Sequence, residues 1–270
     1  MPEVTLVSSL EVPDGPAADS APVLVLGNPI GTTRDVWSHQ VPVLSRHFRV
    51  LRFESRGHGA PGAQSAAPPG PYSIAELGAD VLALLNGYGF ERVAYAGVSL
   101  GGMIGLWLAA NAPERISSLA VCCAALTPMP SPESWHERAA LVRSSGMSAL
   151  TAMVVPRWFT PSFASHSPGE VDAVLAMLTG TNPGGYAGCA EAIAAMDLRP
   201  LPGLVKAPTL VLSGAEDPAA PPWVGGRTAA GIARSRLTVV RGASHLAHYE
   251  KPGPVTDALL RHFLATANSG

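Results

Sequence analysis

The chain has 270 residues, of which 47% are hydrophobic and only 14% are charged. This composition provides enough apolar surface for one large folded unit and excludes an intrinsically disordered chain. The formal net charge is −2 and Lys and Arg form no run, so we expect neither nucleic acid nor an anionic membrane surface as the main partner.

The first ten residues and the cysteines give an expectation of the cellular compartment in which the protein is found. Residues 1–10 contain neither a basic segment nor a long apolar one, so they do not predict a secretory signal, and no apolar stretch approaches the roughly 20 residues that span a bilayer. Cys122, Cys123 and Cys189 are an odd number, which predicts buried, reduced thiols and not a disulfide framework. We therefore expect a cytoplasmic protein without a membrane span, whose partner is a small molecule.

Short apolar runs alternate with helical patterns in the first half of the chain. The runs at 23–27, 50–54, 93–98 and 119–124 are mostly apolar on both faces, as is typical of parallel strands buried on both sides. Ser73 stands where it can cap a helix that continues to Gly87. The alternation predicts an α/β fold, with a mostly parallel central sheet flanked by helices.

The pattern changes after Pro128, where helical segments follow one another without an intervening strand. We therefore predict an inserted helical cap at residues 128–201 and a core domain formed by residues 1–127 and 202–270. Strands at 209–214 and 236–240 and a last helix complete the core. The stretch at 59–71, rich in Ala, Pro and Gly, predicts a surface loop.

The segment Gly97-Val98-Ser99-Leu100-Gly101 follows a predicted strand and opens a helix predicted to end near Pro113. A strand that turns sharply into a helix strains the central serine, and glycine is needed at the flanking positions because other backbone comes close. The turn presents the serine hydroxyl to a pocket, beside the free N–H groups of the helix start. We therefore predict Ser99 as a nucleophile and the N–H of Leu100 as a donor to an oxyanion.

A serine hydroxyl is a weak nucleophile until a base accepts its proton, so a histidine is expected downstream. His245 directly follows the last predicted strand, and we prefer it to His248, which we assign to the start of the next helix. Asp217 follows the preceding strand and completes the order Ser, Asp, His, with Glu216 as the nearest alternative. The acid would hold the imidazole in the tautomer that can accept the Ser99 proton.

A second oxyanion donor is expected from the turn at residues 28–32, which follows the first long apolar strand. Pro29 has no N–H, and the geometry of the serine turn favours the N–H of Ile30. His58, in the loop at 56–59, is expected to fix a turn beside the pocket and not to act as the base. This chemistry requires neither a metal nor an organic cofactor.

The chain as a whole resembles the α/β-hydrolase superfamily and, within it, the 3-oxoadipate enol-lactonase family. Besides the serine turn, the motifs that carry the resemblance are RFESRGHG at 52–59, PYSI at 71–74, RWFTP at 157–161, GYAGC at 185–189, APTL at 207–210 and DP at 217–218. The motifs of the predicted cap are narrower than the serine turn, so they carry the substrate expectation. The resemblance implies a carboxylate-bearing enol-lactone, opened to 3-oxoadipate through an acyl-enzyme in the β-ketoadipate route of aromatic breakdown.

A carboxylate on the substrate needs a cation near the pocket mouth. The predicted cap supplies Arg138 and Arg157 beside Trp135 and Trp158, and the planar arginine fork can bind a carboxylate through two hydrogen bonds. We therefore predict these four residues as substrate-binding, although the helical phase of the cap leaves open which of them face the pocket.

Other functions stay open from the sequence. A general carboxylesterase or a cofactor-free perhydrolase would use the same three residues, whereas a non-catalytic, hydrolase-like ligand-binding protein would not need all of them. Haloalkane dehalogenases and epoxide hydrolases resemble this fold but have an aspartate where this chain has Ser99, so we disfavour them. The sequence also leaves open whether the chain forms a homo-oligomer.

Overall fold

The computed structural model describes residues 6–14, 18–59 and 70–267, which form a seven-stranded sheet flanked by helices. The strands are β1 (Ser8–Glu11), β2 (Val23–Gly27), β3 (Arg49–Phe53), β4 (Val93–Val98), β5 (Ile116–Cys122), β6 (Thr209–Gly214) and β7 (Ser235–Val240). Their order is β1-β3-β2-β4-β5-β6-β7, and every neighbouring pair is parallel except β1 with β3. The predicted fold class is confirmed. Most of the loop predicted at 59–71 lies outside the described residues.

Two strands differ from the sequence prediction in instructive ways. β5 begins three residues earlier than predicted and ends at Cys122, because Cys123 adopts a φ of 47° and leaves the extended conformation that a ladder requires. β1 was not predicted at all, because it is a short, half-buried edge strand without an apolar run. By contrast β2, β4 and β6 are buried along their whole length, as parallel strands covered on both faces should be.

The helices are α1 (Val41–Leu44), α2 (Ile74–Gly87), α3 (Leu100–Asn111), α4 (Pro132–Ser145), α5 (Thr151–Trp158), α6 (Pro161–His166), α7 (Pro168–Gly180), α8 (Pro183–Ala195), α9 (Pro222–Gly231), α10 (Ala247–Glu250) and α11 (Pro252–Ala267). α2 begins at the predicted residue, because Ser73 and Glu76 satisfy each other's backbone N–H groups in a capping box. Within the part of the chain that the structure describes, no helix has the length and apolar character needed to cross a bilayer.

Five helices, α4 to α8, lie between β5 and β6, and we call residues 132–195 the cap segment. α4 packs on α8, and Arg143 of α4 donates to Glu191 of α8. Gly185, in the first turn of α8, approaches the backbone of Gly57 so closely that a Cβ atom would overlap the Gly57 carbonyl oxygen. A side chain is therefore excluded at Gly185, and the cap segment is seated directly on the loop that follows β3.

Three cysteines are present and all are buried free thiols, as predicted. Burial raises the pKa of the Cys122 thiol to about 12, so this thiol is inert as a nucleophile at neutral pH. The parallel strands β2, β4, β6 and β7 bring their carboxyl ends to the same edge of the sheet, and the turns that follow them supply the groups described next.

Candidate active site

Ser99 stands alone between β4 and α3 in a strained backbone conformation, with φ 53° and ψ −116°. Its N–H donates to the Cys122 carbonyl at 2.9 Å, and its carbonyl accepts the N–H of Met103 at 2.9 Å. A Cβ atom on Gly97 would overlap the backbone of Gly101, so the glycines of this motif are required for the turn to close. A strained serine, held by its neighbours at the end of a buried strand, is the arrangement that exposes a nucleophilic hydroxyl.

His245 and Asp217 form a buried hydrogen-bonded pair, with 2.9 Å between His245 Nδ1 and Asp217 Oδ2. The other carboxylate oxygen, Oδ1, accepts the N–H groups of Ala219 at 2.7 Å and of Ala220 at 2.9 Å. The carboxylate is therefore fixed on both sides and holds the proton on Nδ1, which leaves Nε2 of His245 to accept another.

The surroundings of Asp217 favour its ionised form. Burial alone would raise the pKa of Asp217, but the charge and hydrogen bond of His245, together with the N–H groups of Ala220 and Ala219, outweigh it and lower that pKa. The alternative acid, Glu216, is exposed to solvent. Asp217 is thus the acid that meets His245.

The other two histidines near the site have different surroundings. His248 lies in α10 with its ring tilted against that of Trp37, at 4.7 Å between the ring centroids, and burial lowers its pKa to about 3. Neither ring nitrogen of His248 has a hydrogen-bond partner among the described residues. His58 accepts the N–H of Gly31 on Nε2 at 2.9 Å and contacts the Arg56 carbonyl through Nδ1 at 3.2 Å. His58 thus fixes the turn at residues 28–32 through its hydrogen bond with Gly31.

The hydrogen bonds of this turn narrow the choice of oxyanion donor. Pro29 has no N–H, Gly31 donates to His58, and Thr32 donates to the Pro29 carbonyl at 3.3 Å. The N–H of Ile30 is left without an acceptor among the described residues. The N–H of Leu100, as the first residue of α3, has no acceptor within its helix. The two N–H groups predicted from the sequence are therefore the ones that remain available.

One pocket contains Ser99 and His245 together with all four predicted cap residues, Trp135, Arg138, Arg157 and Trp158. Its other lining residues are mainly apolar or small: Ile30, Met103, Cys123, Ala125, Met129, Val154, Tyr186, Ile193, Ala219 and Ala220. Asp217 lies behind His245, outside the lining. Across the described residues, no group of three His, Cys, Asp or Glu side chains is arranged to hold a metal ion.

The two cap arginines lack a carboxylate partner. Arg138 is 8% exposed and lies over the ring of Trp135, with 4.6 Å from Cζ to the ring centroid. Burial lowers the pKa of the Arg157 guanidinium, and the nearby charge of Arg138 lowers it further. Neither arginine forms an ion pair with any carboxylate that the structure describes. The charge of Asp217 opposes this lowering of the Arg157 pKa, but neither arginine has a carboxylate in direct contact, so two cations that face one pocket can bind an anion.

Sequence reasoning did not single out Tyr186 as a site residue. Its side chain is fully buried, lines the pocket and lies near Arg138; burial raises the pKa of the phenol, and the charge of Arg138 opposes this rise. The motif GYAGC at 185–189 contains this tyrosine. Tyr186 comes close to Arg138 only because α8 packs against α4. The motif therefore included the residue but did not predict its neighbour in the pocket.

Comparisons with known proteins extend well beyond the serine turn. A family model of the alpha/beta hydrolase fold matches residues 22–252. Among curated proteins, 3-oxoadipate enol-lactonase 2 of Acinetobacter baylyi is 35% identical over 245 residues, which cover 90% of this chain and 90% of that protein.

Solved structures give the same picture. The enol-lactonase from Burkholderia xenovorans LB400 matches with a TM-score of 0.90 and 39% identity, over 96% of each chain. A thermophilic esterase from Thermogutta terrifontis, solved with malate bound, matches with a TM-score of 0.87 and 25% identity, over 97% of this chain and 93% of that one. These similarities include the cap segment as well as the sheet.

Proposed function

Because this chain belongs to the α/β hydrolase family, as its motifs predicted, we propose that it is a serine hydrolase that opens 3-oxoadipate enol-lactone to 3-oxoadipate. Two enol-lactonase relatives at 35% and 30% identity, and the enol-lactonase structure at 39% identity, support an ester hydrolase. The proposal goes further than this class, because it names the substrate and the residues that act on it.

In the proposed first half-reaction, the Ser99 hydroxyl oxygen bonds to the lactone carbonyl carbon while Nε2 of His245 takes the hydroxyl proton. The oxyanion accepts the N–H groups of Ile30 and Leu100, which is why their lack of other acceptors matters. The ring C–O bond then breaks and releases an enolate oxygen. The enolate takes the proton from His245 and becomes the ketone. The acyl group stays esterified to Ser99, because the bond that broke was the ring C–O bond.

In the second half-reaction, a water molecule attacks the acyl carbon and His245 takes one of its protons. Collapse of the tetrahedral species breaks the bond to the Ser99 oxygen, which recovers its proton from His245. The other proton of the water molecule passes to solvent, and the product leaves with a second carboxylate. Asp217 stays ionised throughout and stabilises the imidazolium in both halves. An enolate is a better leaving group than an amine, so the demand on His245 as an acid is modest.

The observation that carries the substrate class is the pair of guanidinium groups, Arg138 and Arg157, in the pocket of Ser99. A buried cation without a counter-ion is costly, so its presence is explained when a substrate anion supplies the missing charge. The substrate carboxylate would bind to Arg138 beside the rings of Trp135 and Trp158, while the lactone carbonyl lies at Ser99. A neutral ester would leave both cations without an ion-pair partner.

The experiment compares the enol-lactone with a matched neutral compound, the methyl ester of its free carboxylate. We expect kcat/KM to be at least about 10-fold higher for the anionic compound, since a binding site built for a polar group rejects analogues that lack it. A Ser99→Ala variant should lose hydrolysis of both by about 10⁴-fold or more. A preference for the neutral compound would contradict the lactonase assignment and favour a general carboxylesterase.

The carboxylesterase is the second candidate, and the esterase of known structure at 25% identity favours it. A cofactor-free perhydrolase with the same triad would convert the acyl-enzyme with hydrogen peroxide in place of water, so peracid formation is measured in the same assay. An unchanged rate in Ser99→Ala would contradict all three enzymes, whereas substrate binding without turnover by the wild-type protein would support a ligand-binding protein instead. The place of the reaction in aromatic breakdown and a cytoplasmic location belong to the same proposal.

A further inference from the structure

The segment that follows the catalytic-site strand β7 is bonded to the cap segment on both sides of His245. On one side, the hydroxyl of Ser244 donates to the Arg157 carbonyl at 3.2 Å. On the other, the N–H of Leu246 donates to the Trp158 carbonyl at 3.0 Å. The two residues that flank His245 in sequence are therefore hydrogen-bonded to two cap residues that line the same pocket as His245.

Glu250, five residues after His245, extends this connection. One carboxylate oxygen, Oε1, accepts the N–H of Ser244 at 2.8 Å and the N–H of Thr160 at 3.2 Å. The other, Oε2, accepts the hydroxyl of Thr160 at 2.8 Å and shares its N–H at 3.2 Å. Glu250 is 5% exposed, and burial raises its pKa. A buried side chain with this many donors on two separate segments acts as a bridge between them.

We infer that Glu250 is a positioning residue, which holds the loop of His245 and the pocket wall formed by Arg157 and Trp158 in one fixed relation. The inference rests on the proposed function, since it takes His245 as the base. Without the bridge, the substrate-binding wall and the base can move independently, so bound substrate is no longer held at the correct distance from His245. A displacement of about 1 Å at a reacting centre is enough to cost about 100-fold in rate.

Two substitutions of Glu250 can distinguish a role of its hydrogen-bond geometry from a role of its charge. In Glu250→Gln, the amide oxygen can still accept both backbone N–H groups, and the amide nitrogen can donate to the Thr160 hydroxyl. In Glu250→Asp, the charge is kept, but the side chain is one methylene shorter and cannot reach both segments. We therefore expect the uncharged variant to be more active than the charged one, which is the reverse of what a purely electrostatic role predicts.

The test measures kcat and KM of both variants, and of Glu250→Ala, with the enol-lactone or the ester that the wild-type enzyme prefers. We expect kcat within about 3-fold of wild type for Gln, and a decrease of about 10- to 100-fold for Asp and Ala. An activity-independent readout is the downfield proton resonance of His245 Nδ1–H, which should shift or broaden in Asp and Ala but not in Gln. Glu191→Ala is the matched control, because it breaks a glutamate contact inside the cap segment without touching the His245 loop.

Two results would overturn the inference: equal kcat and an unchanged resonance in all Glu250 variants, or an Asp variant more active than the Gln variant. If Ala does not fold, the comparison of Gln with Asp decides the question alone. The Ser99→Ala variant keeps the two proposals separate. If Ser99→Ala loses activity while Glu250→Asp keeps the wild-type kcat, only the role of Glu250 is contradicted. If Ser99→Ala stays active, the hydrolase mechanism itself is contradicted.

Discussion

The two walls of the Ser99 pocket are built in different ways. On the sheet side, Ser99 and His245 follow strand ends, and backbone strain or a buried carboxylate fixes each of them. On the cap side, Arg138 and Arg157 project from helices, and Arg138 lies over the ring of Trp135 and near Tyr186. The groups of the first wall are fixed by the protein itself, whereas the two cations of the second wall form no ion pair with a carboxylate that the structure describes.

This difference separates chemistry from selectivity. Changes on the sheet side should lower kcat for every substrate, because they disturb groups that act on the reacting bond. Changes on the cap side should act mainly on KM and only for anionic substrates, because they remove binding that is equal in the ground and transition states. The following predictions test the comparison from its largest expected effect to its smallest.

The largest effect is expected from Asp217→Asn. The amide can donate to Nδ1 of His245 and so stabilise the wrong tautomer, with the proton on Nε2, which cannot then accept the Ser99 proton. We expect kcat to fall by about 10⁴-fold for anionic and neutral substrates alike, measured under saturating substrate. Glu216→Gln, at the exposed neighbouring acid, is the control and should keep normal kinetics. A decrease confined to anionic substrates would contradict the separation of the two walls.

A smaller and selective effect is expected from Arg138→Gln. Removal of one charge-assisted contact should raise KM for the enol-lactone by about 10- to 100-fold, with kcat changed by only a few-fold. KM for the neutral methyl ester should stay at its wild-type value. Arg143→Gln, on the same helix but paired with Glu191 away from the pocket, is the matched control. Equal changes in KM for both substrates would indicate a packing role for Arg138.

The smallest effect is expected at His58, which accepts a hydrogen bond from the turn at residues 28–32, and it concerns stability at acidic pH. Burial lowers the pKa of His58 to about 4, so folding favours the neutral ring, whereas the unfolded chain takes up a proton below its ordinary pKa of 6.5. His58→Gln keeps an acceptor for the Gly31 N–H but cannot be protonated. We therefore expect the stability of the variant, relative to wild type, to increase as the pH falls from 6.5 towards 4, by at most about 1.4 kcal/mol per pH unit.

Above pH 6.5 the difference in unfolding free energy between wild type and His58→Gln should be constant, since the ring is neutral in both states. Denaturant unfolding over roughly pH 4.5 to 8 measures this difference. The same substitution at the exposed His47 provides the control. A difference that does not change with pH would mean that the folded protein protonates His58 as readily as the unfolded chain does, which contradicts a buried neutral ring that accepts the N–H of Gly31.

The sheet side was largely predictable from the sequence, whereas the cap side was not. Buried parallel strands are continuous apolar runs, and the residues after them meet at one edge, so the places of Ser99, Asp217 and His245 follow from local sequence and topology. The edge strand β1 has no such run and was missed. The end of β5 was predicted too far along the chain, because the neighbouring residues in sequence do not reveal the left-handed conformation of Cys123.

In the cap segment, the side chains that meet in the pocket depend on helix phase and on packing between helices. Arg138 and Tyr186 come from α4 and α8, which are far apart in sequence, and no periodicity reports that their side chains meet. The bridge of Glu250 was invisible for the same reason, because its partners lie 90 residues away on the cap and six residues away on the loop. The division into a core domain at 1–127 and 202–270 and a cap at 128–201 stays a prediction.

The contact between Gly57 and Gly185 limits how new specificities can be engineered in this scaffold. Because two backbones touch where the cap segment rests on the loop that follows β3, a cap transplanted from another hydrolase would fit only if it also brought a glycine to that point. Whole-cap chimeras should therefore misfold more often than single replacements at residues facing the pocket. Diversification of substrate range by point changes, with the seat of the cap left intact, is the route that this geometry favours.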